Sequence, residues 1–198
     1  MKELYLMRHA QTLFNVQGRT QGWSDSPLTP KGIDDTLKAG ERLRAKRLCF
    51  DAFYSSTQER ASDTLELLFA NQEYSRLKGL KEMNFGAYEG HSDYLEPIDK
   101  TTYFKNFGGE SSHQVSERMY QSLSECLNKH DKVFALSHGA AMHFFTQEKV
   151  FNFESQPPVP LGNLACLHFT YDEGIFTFIE SISLLSKVSS SSSIADAF

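Results

Sequence analysis

Leu4-Tyr5-Leu6-Met7-Arg8-His9-Ala10-Gln11-Thr12-Leu13-Phe14-Asn15 is the stretch on which the rest of the chain turns. Its four apolar residues, Leu4 to Met7, run without alternation, as expected of a strand buried on both faces of a parallel sheet. The run ends at Arg8 and His9, a guanidinium and an imidazole, the side chains suited to holding and attacking a phosphate. Open α/β sheets place ligands just beyond the carboxyl ends of their strands. The first strand therefore delivers Arg8 and His9 to the place where a site is expected.

Working outward, a polar, glycine-containing loop covers residues 16–29. Thr29-Pro30 then reads as an N-cap with proline at the first helical position. A helix is expected from Pro30 to Arg47, with Ile33, Leu37, Gly40 and Leu43 on its apolar face. Phe50 to Tyr54 reads as a short strand ending in Ser55-Ser56. Ser56-Thr57-Gln58-Glu59 fits a capping box for a helix burying Ala61, Leu65 and Leu68, with Arg60 in its first turn. Arg76 to Leu80 is expected to be a third strand, with Lys81-Glu82 at its exit.

Residues 83–110 show no clear periodicity and carry Phe85, Tyr88, Tyr94, Tyr103, Phe104 and Phe107 among glycines and acids. Long loops of this kind in compact domains are commonly functional covers. The aromatics are read either as a satellite core or as a lining for substrate. Ser111 to Gln114 is a second capping box, opening a helix with Val115, Met119, Leu123 and Cys126-Leu127 as its stripe. Val133 to Leu136 repeats the opening theme, an apolar strand that ends in Ser137-His138-Gly139. Pro157-Pro158-Val159-Pro160 breaks the chain. Leu164 to Tyr171 and Ile175 to Ile182 then read as a hairpin at the sheet edge, turning at Asp172-Glu173-Gly174.

These elements predict a three-layer α/β/α sandwich, its central sheet mostly parallel with an antiparallel edge strand. A single domain is expected over residues 1–186, followed by a disordered serine-rich tail, 187–198. The chain has 198 residues, 40% hydrophobic and 23% charged, with 25 acidic against 20 basic side chains and a net charge of −5. That balance argues against sequence-independent nucleic-acid binding, which needs clustered Lys and Arg. No apolar run reaches membrane-spanning length, and the N-terminus has no signal-peptide core. Cys49, Cys126 and Cys166 are widely spaced and form no metal or redox motif. They read as buried thiols, and a cytoplasmic location is expected. Nothing in the sequence fixes the oligomeric state, monomer or homodimer.

On this reading His9, Arg60, Glu82 and His138 follow four different strands, each at its carboxyl end. Two arginines beside two histidines make an anion site, because arginine offers a planar fork for phosphate and keeps its charge. Two unit charges ~4 Å apart interact by about 4 kcal/mol at a surface-like dielectric, enough to hold one histidine neutral. A neutral imidazole can act as a nucleophile, and Glu82 can protonate a departing alkoxide. No cofactor is implied, and no Asp/Glu cluster resembles a magnesium site. His91, His113, His130, His143 and His168 read as surface or packing residues.

Arg8-His9-Ala10-Gln11-Thr12 with Asn15 resembles the signature of the histidine phosphatase superfamily, branch 1, also called the phosphoglycerate mutase-like family. The likeness continues through Gln21-Gly22-Trp23, Ser26-Pro27-Leu28-Thr29, Ser55-Ser56 with Arg60-Ala61 and Thr64, and Leu80-Lys81-Glu82. It extends to Gly86 with Glu89-Gly90, Gly109-Glu110-Ser111 and Ser137-His138-Gly139, in the family's order and spacing. The resemblance implies that His9 is phosphorylated and that Arg8, Arg60 and His138 bind the phosphoryl group. Asn15 and the Gly139 backbone would add contacts, and Glu82 would serve as acid and then as base for water. Gln21 and Gly22 would line the substrate side. Ala10 stands where the family most often has glycine.

The family divides between phosphatases and mutases. A mutase must retain a multiply anionic intermediate, yet from Met83 to Gly109 four acids face only Lys100 and Lys105, a balance of −2 with no arginine. Met83 also follows Glu82, where phosphoglycerate mutases resemble one another in carrying arginine. The expectation is a metal-independent phosphatase of small phosphomonoesters with an aromatic-lined pocket. The alternatives are a phosphoglycerate mutase and a non-catalytic phospho-ligand sensor, against which the paired presence of His9 and Glu82 argues.

Overall fold

The apolar run at the start forms the strand β1 (Lys2–Arg8), and its alternate residues face opposite layers. Leu4 and Leu6 join one core and Tyr5 and Met7 the other, so the unbroken hydrophobic pattern reflects burial on both faces. Burying a side chain the size of leucine contributes about 1.5–3 kcal/mol. The computed structural model describes residues 1–95, 97–153 and 161–185. The proline-rich break at 157–160 and the expected serine-rich tail at 187–198 lie outside the described residues.

In chain order the elements are β1, α1 (Leu13–Gln17), α2 (Pro30–Ala45), β2 (Ala52–Ser56), α3 (Glu59–Leu68) and β3 (Ser75–Leu77). There follow α4 (Ser112–Lys129), β4 (Lys132–Ser137), α5 (Gly139–Lys149), β5 (Val150–Phe151), β6 (Cys166–Asp172) and β7 (Ile175–Ile182). They build one seven-stranded sheet in the order β3-β2-β4-β1-β6-β7-β5. Strands β3, β2, β4 and β1 are mutually parallel, whereas β6 runs antiparallel to β1 and to β7. Helices α4 and α5 supply one hydrophobic layer, and α2 and α3 supply the other. The three-layer sandwich is as the sequence implies. The hairpin β6–β7 is not outermost, however, because β5 pairs in parallel beyond β7.

Other expectations shift by a few residues for identifiable reasons. Strand β2 begins at Ala52 instead of Phe50, and α2 ends at Ala45. Ile33 and Leu37 are exposed, and α2 packs through Gly32, Thr36, Ala39, Gly40 and Leu43 instead. No side-chain capping box opens α3, whose N-cap is Gln58, because the Ser56 hydroxyl accepts the N–H of Gln58 instead. The third strand stops at Leu77 and gives way to a 3-10 turn, Lys78–Leu80, so Glu82 lies five residues beyond a strand end. Cys49 is exposed, while Cys126 and Cys166 are buried. The second capping box, at Ser111, forms as expected, with Gln114 as its reciprocal partner. Among the described residues no helix is long and apolar enough to cross a membrane.

Candidate active site

The parallel pairing of β1 with β4 sets the site. Arg8 is in register with Ser137, so the next residues, His9 and His138, emerge side by side. The N–H of His9 donates to the Ser137 carbonyl at 3.0 Å, and the two imidazole centroids are 5.2 Å apart. Strand β2 lies beside β4, and the first turn of α3 brings Arg60 to the same point.

His9 is buried, and its Nδ1 stands 2.7 Å from the Ala10 carbonyl oxygen. That carbonyl can only accept, so Nδ1 carries the proton and Nε2 keeps its lone pair. The N–H of Arg60 Nε donates to that same Nε2 at 3.3 Å. Burial, then the charges of Arg60 and Arg8, hold the pKa of His9 well below 6.5, and the Ala10 carbonyl opposes them. His138 is shifted in the same direction, first by burial and then by Arg60. Both imidazoles are therefore neutral near pH 7, one more than charge counting along the sequence implies.

Arg60 is fully buried, and all five of its N–H donors have acceptors. Besides His9, these are the carbonyls of Gln21 (3.3 Å), Gly22 (2.8 Å) and Ser24 (3.0 Å) and the Asp25 carboxylate (2.9 Å). Arg8 differs. Its Nη1 donates to the Leu161 carbonyl at 2.6 Å, but its Nε is buried with no partner. Both ring nitrogens of His138 are likewise buried and unpartnered. Buried polar atoms without partners are uncommon, and three beside one neutral histidine mark a place for a polar ligand.

Glu82 is clamped from every side. Its backbone N–H donates to Gln58 Oε1 at 2.8 Å, and its carbonyl accepts from Trp23 Nε1 and Arg118 Nη2. Its carboxylate accepts from the N–H groups of Met83, Ala140 and Ala141, the last two in the first turn of α5. That seat is favourable for an anion, because the N-terminus of a helix presents unpaired N–H groups. Gly139 opens α5 and lies against Arg8, where an added Cβ would stand 3.1 Å from the guanidinium carbon. Glycine therefore lets the arginine pack onto the helix end.

A cavity of about 1060 Å³ opens over this floor. Arg8, His9, Glu82, Asn15, Gln21 and Gly139 line it. Asn15 Oδ1 accepts from the Thr12 N–H and from Asn163, leaving its Nδ2 donor for the cavity. The Gln21 amide is tied to Thr12 and Ser26. Gly22 does not line the cavity: its carbonyl holds Arg60 and its N–H is held by Glu89. Arg60 and His138 also stand behind the cavity wall, each against His9. Of the six aromatics between 85 and 107, Phe85 reaches the cavity, joined there by Phe144 and Phe153. Tyr88, Tyr103, Phe104 and Phe107 pack edge to face among themselves, with Phe104 buried in the main core and Phe107 exposed, so the set extends that core and is not a separate satellite. His143, read as a surface or packing residue, lines the mouth with Arg19, Asp93, Asp99 and Lys100. Among the described residues no group of three or more His, Cys, Asp or Glu could hold a metal ion.

The sequence model of the histidine phosphatase superfamily, branch 1, matches residues 4–181. The chain belongs to that superfamily. A probable phosphoglycerate mutase, GpmB, of Salmonella paratyphi A is 31% identical over 156 residues, which cover 72% of each chain. Among solved structures, YhfR of Bacillus stearothermophilus is 27% identical, with a TM-score of 0.72 over 89% of this chain and 94% of that one. A mutant of the phosphoserine phosphatase from Entamoeba histolytica, in complex with phosphoserine, is 25% identical. Its TM-score is 0.77, over 93% of this chain and 98% of that one. This branch 1 chain thus resembles both mutases and phosphatases.

Asp25, Gln58, Glu89, Arg118 and Asn163 hold the site together and were not singled out for that role by sequence. Each is a loop or helix polar residue whose partner lies far along the chain. Glu89 and Glu110 carried a local signal, since both fall inside the motifs of the resemblance.

Proposed function

We propose that the protein is a metal-independent phosphomonoester hydrolase that works through a phosphohistidine on His9. The carrying observation is the set of buried, unpartnered polar atoms, Arg8 Nε and both ring nitrogens of His138, gathered beside a neutral His9. A phosphoryl group accepts from Arg8 Nε–H and from the one His138 nitrogen that carries a proton. In the first step the Nε2 lone pair of His9 attacks phosphorus, and the bond to the alcohol oxygen breaks. Glu82 delivers a proton to that oxygen. In the second step Glu82 takes a proton from water, whose oxygen displaces His9 and releases inorganic phosphate. Arg8, Asn15, His138 and the Gly139 N–H bind the phosphoryl oxygens, Arg60 meets them at His9, and Gln21 bounds the substrate side. The positive charge a metal would supply comes from Arg8 and Arg60.

Hydrolysis is favoured over mutase activity by the cover. Met83, which follows Glu82, is fully buried in the core, so this position offers the cavity no cation. At the mouth, Arg19 and Lys100 are balanced by Asp93 and Asp99. A doubly phosphorylated intermediate would find no excess of positive charge there. The substrate is a small phosphomonoester, and a cytoplasmic setting fits three free cysteines.

The test is metal-free incubation with a panel of phosphomonoesters that includes 3-phosphoglycerate, with and without the 2,3-bisphosphate. Phosphate release that is lost in His9→Ala supports the reading. Formation of 2-phosphoglycerate without release would make the protein a mutase.

A further inference from the structure

Asp25 belongs to none of the motifs above, yet its carboxylate performs two tasks. Oδ1 accepts from Arg60 Nη1 at 2.9 Å, and Oδ2 accepts the N–H of Glu59 at 2.6 Å. Glu59 is the first residue of α3, and the local N-cap, Gln58, makes no side-chain cap bond. Asp25 therefore caps α3 from across the loop. Among the described residues it is also the carboxylate ion-paired with Arg60.

The rest of the Arg60 fork is held by neutral carbonyls of the same loop, at Gln21, Gly22 and Ser24. Glu89 fixes that loop from behind, accepting the N–H groups of Gly22, Trp23 and Ser24. One donor escapes the loop. It is Nε–H, and it donates to His9 Nε2, the unprotonated ring nitrogen.

We propose that Asp25 is a positioning residue for phosphoryl transfer, holding Arg60 so that its Nε–H stands at His9 Nε2 and passes to a phosphoryl oxygen as phosphorus reaches that atom. The proposal rests on the phosphatase reading. A fully buried guanidinium with only dipoles around it has no charge to fix its orientation, and Asp25 supplies that charge. Arg8 and His138 already offer unpartnered atoms to a resting phosphate, so Asp25 acts on the transferring state more than on substrate binding. The competing account is that Asp25 only caps α3.

A double-mutant cycle separates the two accounts, using wild type, Asp25→Asn, Arg60→Ala and the double variant. Turnover of an aryl phosphate, affinity for orthovanadate (a five-coordinate mimic of the transferring phosphoryl group) and thermal midpoint are measured for each. Asp25→Asn should lower kcat about 10- to 100-fold, as for loss of a charged hydrogen bond, and weaken vanadate similarly. KM should stay within about two-fold, and both losses should shrink to within about two-fold in the Arg60→Ala background. The fall in thermal midpoint from the lost cap should persist in both backgrounds. Equal losses of kcat and vanadate affinity with and without Arg60 would reduce Asp25 to a helix cap and overturn the proposal. A wild-type protein that hydrolyses no phosphomonoester would defeat the phosphatase reading, and the vanadate cycle would still decide the role of Asp25. A wild type that binds no vanadate would contradict both.

Discussion

Oε1 of Glu82 accepts the backbone N–H of Ala141 at 2.7 Å, seating the carboxylate on the first turn of α5. Oε2 has one donor, Ala140, and so retains capacity for a proton or a further partner. Glu82→Gln keeps the shape but sets an NH2 group against backbone donors, which should cost about 1–3 kcal/mol of stability. The kcat/KM, which reports phosphoenzyme formation and not the shared attack of water, should fall about 10²- to 10⁴-fold on alkyl phosphates and far less on aryl phosphates, whose leaving groups need no proton. Comparing the two ester classes in one variant checks this. Equal losses would remove Glu82 from the proton-donor role.

Gly139 touches the Arg8 guanidinium without a side chain of its own. Its φ is not among the positive values in this chain, so alanine is compatible with the backbone. Gly139→Ala should fold normally while pushing Arg8 aside, since the new Cβ meets its Cζ at 3.1 Å and its Nε at 3.3 Å. Affinity for inorganic phosphate should drop about tenfold, equivalent to one hydrogen bond of roughly 1.4 kcal/mol. Calorimetric titration with phosphate, alongside a thermal melt, would test it. An unchanged affinity would place the phosphate away from Arg8.

Arg8→Lys should be more damaging than charge conservation suggests. Lysine keeps the positive charge but has no counterpart to the buried, unpartnered Nε or to the planar fork. The expected loss in kcat/KM is about 10- to 100-fold, the range of a charged hydrogen bond. Steady-state kinetics on a single aryl phosphate would suffice to measure it.

Stability should fall on acidification, and two histidines account for a defined part of the fall. His9 and His138 are neutral in the fold, with pKa values held well below 6.5, first by burial and then by Arg60. The unfolded chain protonates both near pH 6.5. Below that pH the unfolded state binds more protons than the native state, so unfolding becomes easier until the native pKa values are reached. Each histidine contributes a slope of up to about 1.4 kcal/mol per pH unit. Urea unfolding at pH 7.5 and 5.5 should show His138→Asn losing about 1.4 kcal/mol less than wild type. Equal losses would mean that His138 is charged in the fold.

The parts of the site that sit at strand ends were legible in the sequence, because β1 and β4 are unbroken apolar runs that stop at Arg8-His9 and Ser137-His138. Arg8, His9 and His138 follow directly from that pattern. The apolar face of α2 was misread for a physical reason. The helix comes so close to its neighbours that an added Cβ at Gly32 would meet the Gln11 carbonyl at 2.3 Å, and one at Gly40 the Leu68 carbonyl at 3.0 Å. Close packing selects small residues, and hydrophobic periodicity highlights large ones such as Ile33 and Leu37. The cap of α3 was misplaced because its true partner, Asp25, is 34 residues from Glu59. Asp25 and Arg118 act through long-range hydrogen bonds that leave no local pattern. The mouth of the cavity, with His143 and Lys100 drawn from separate segments, is visible only once the chain is folded.

Trapping the covalent intermediate tests the central claim most directly. Metal-free protein would be mixed with a labelled aryl phosphate, quenched in alkali within the first turnover, and mapped by peptide. The account predicts an acid-labile, base-stable phosphoryl group on His9, absent from His9→Ala and accumulating in Glu82→Gln when water attack is slowed. Hydrolysis that proceeds with no phosphoenzyme, or with the label on another residue, would contradict it.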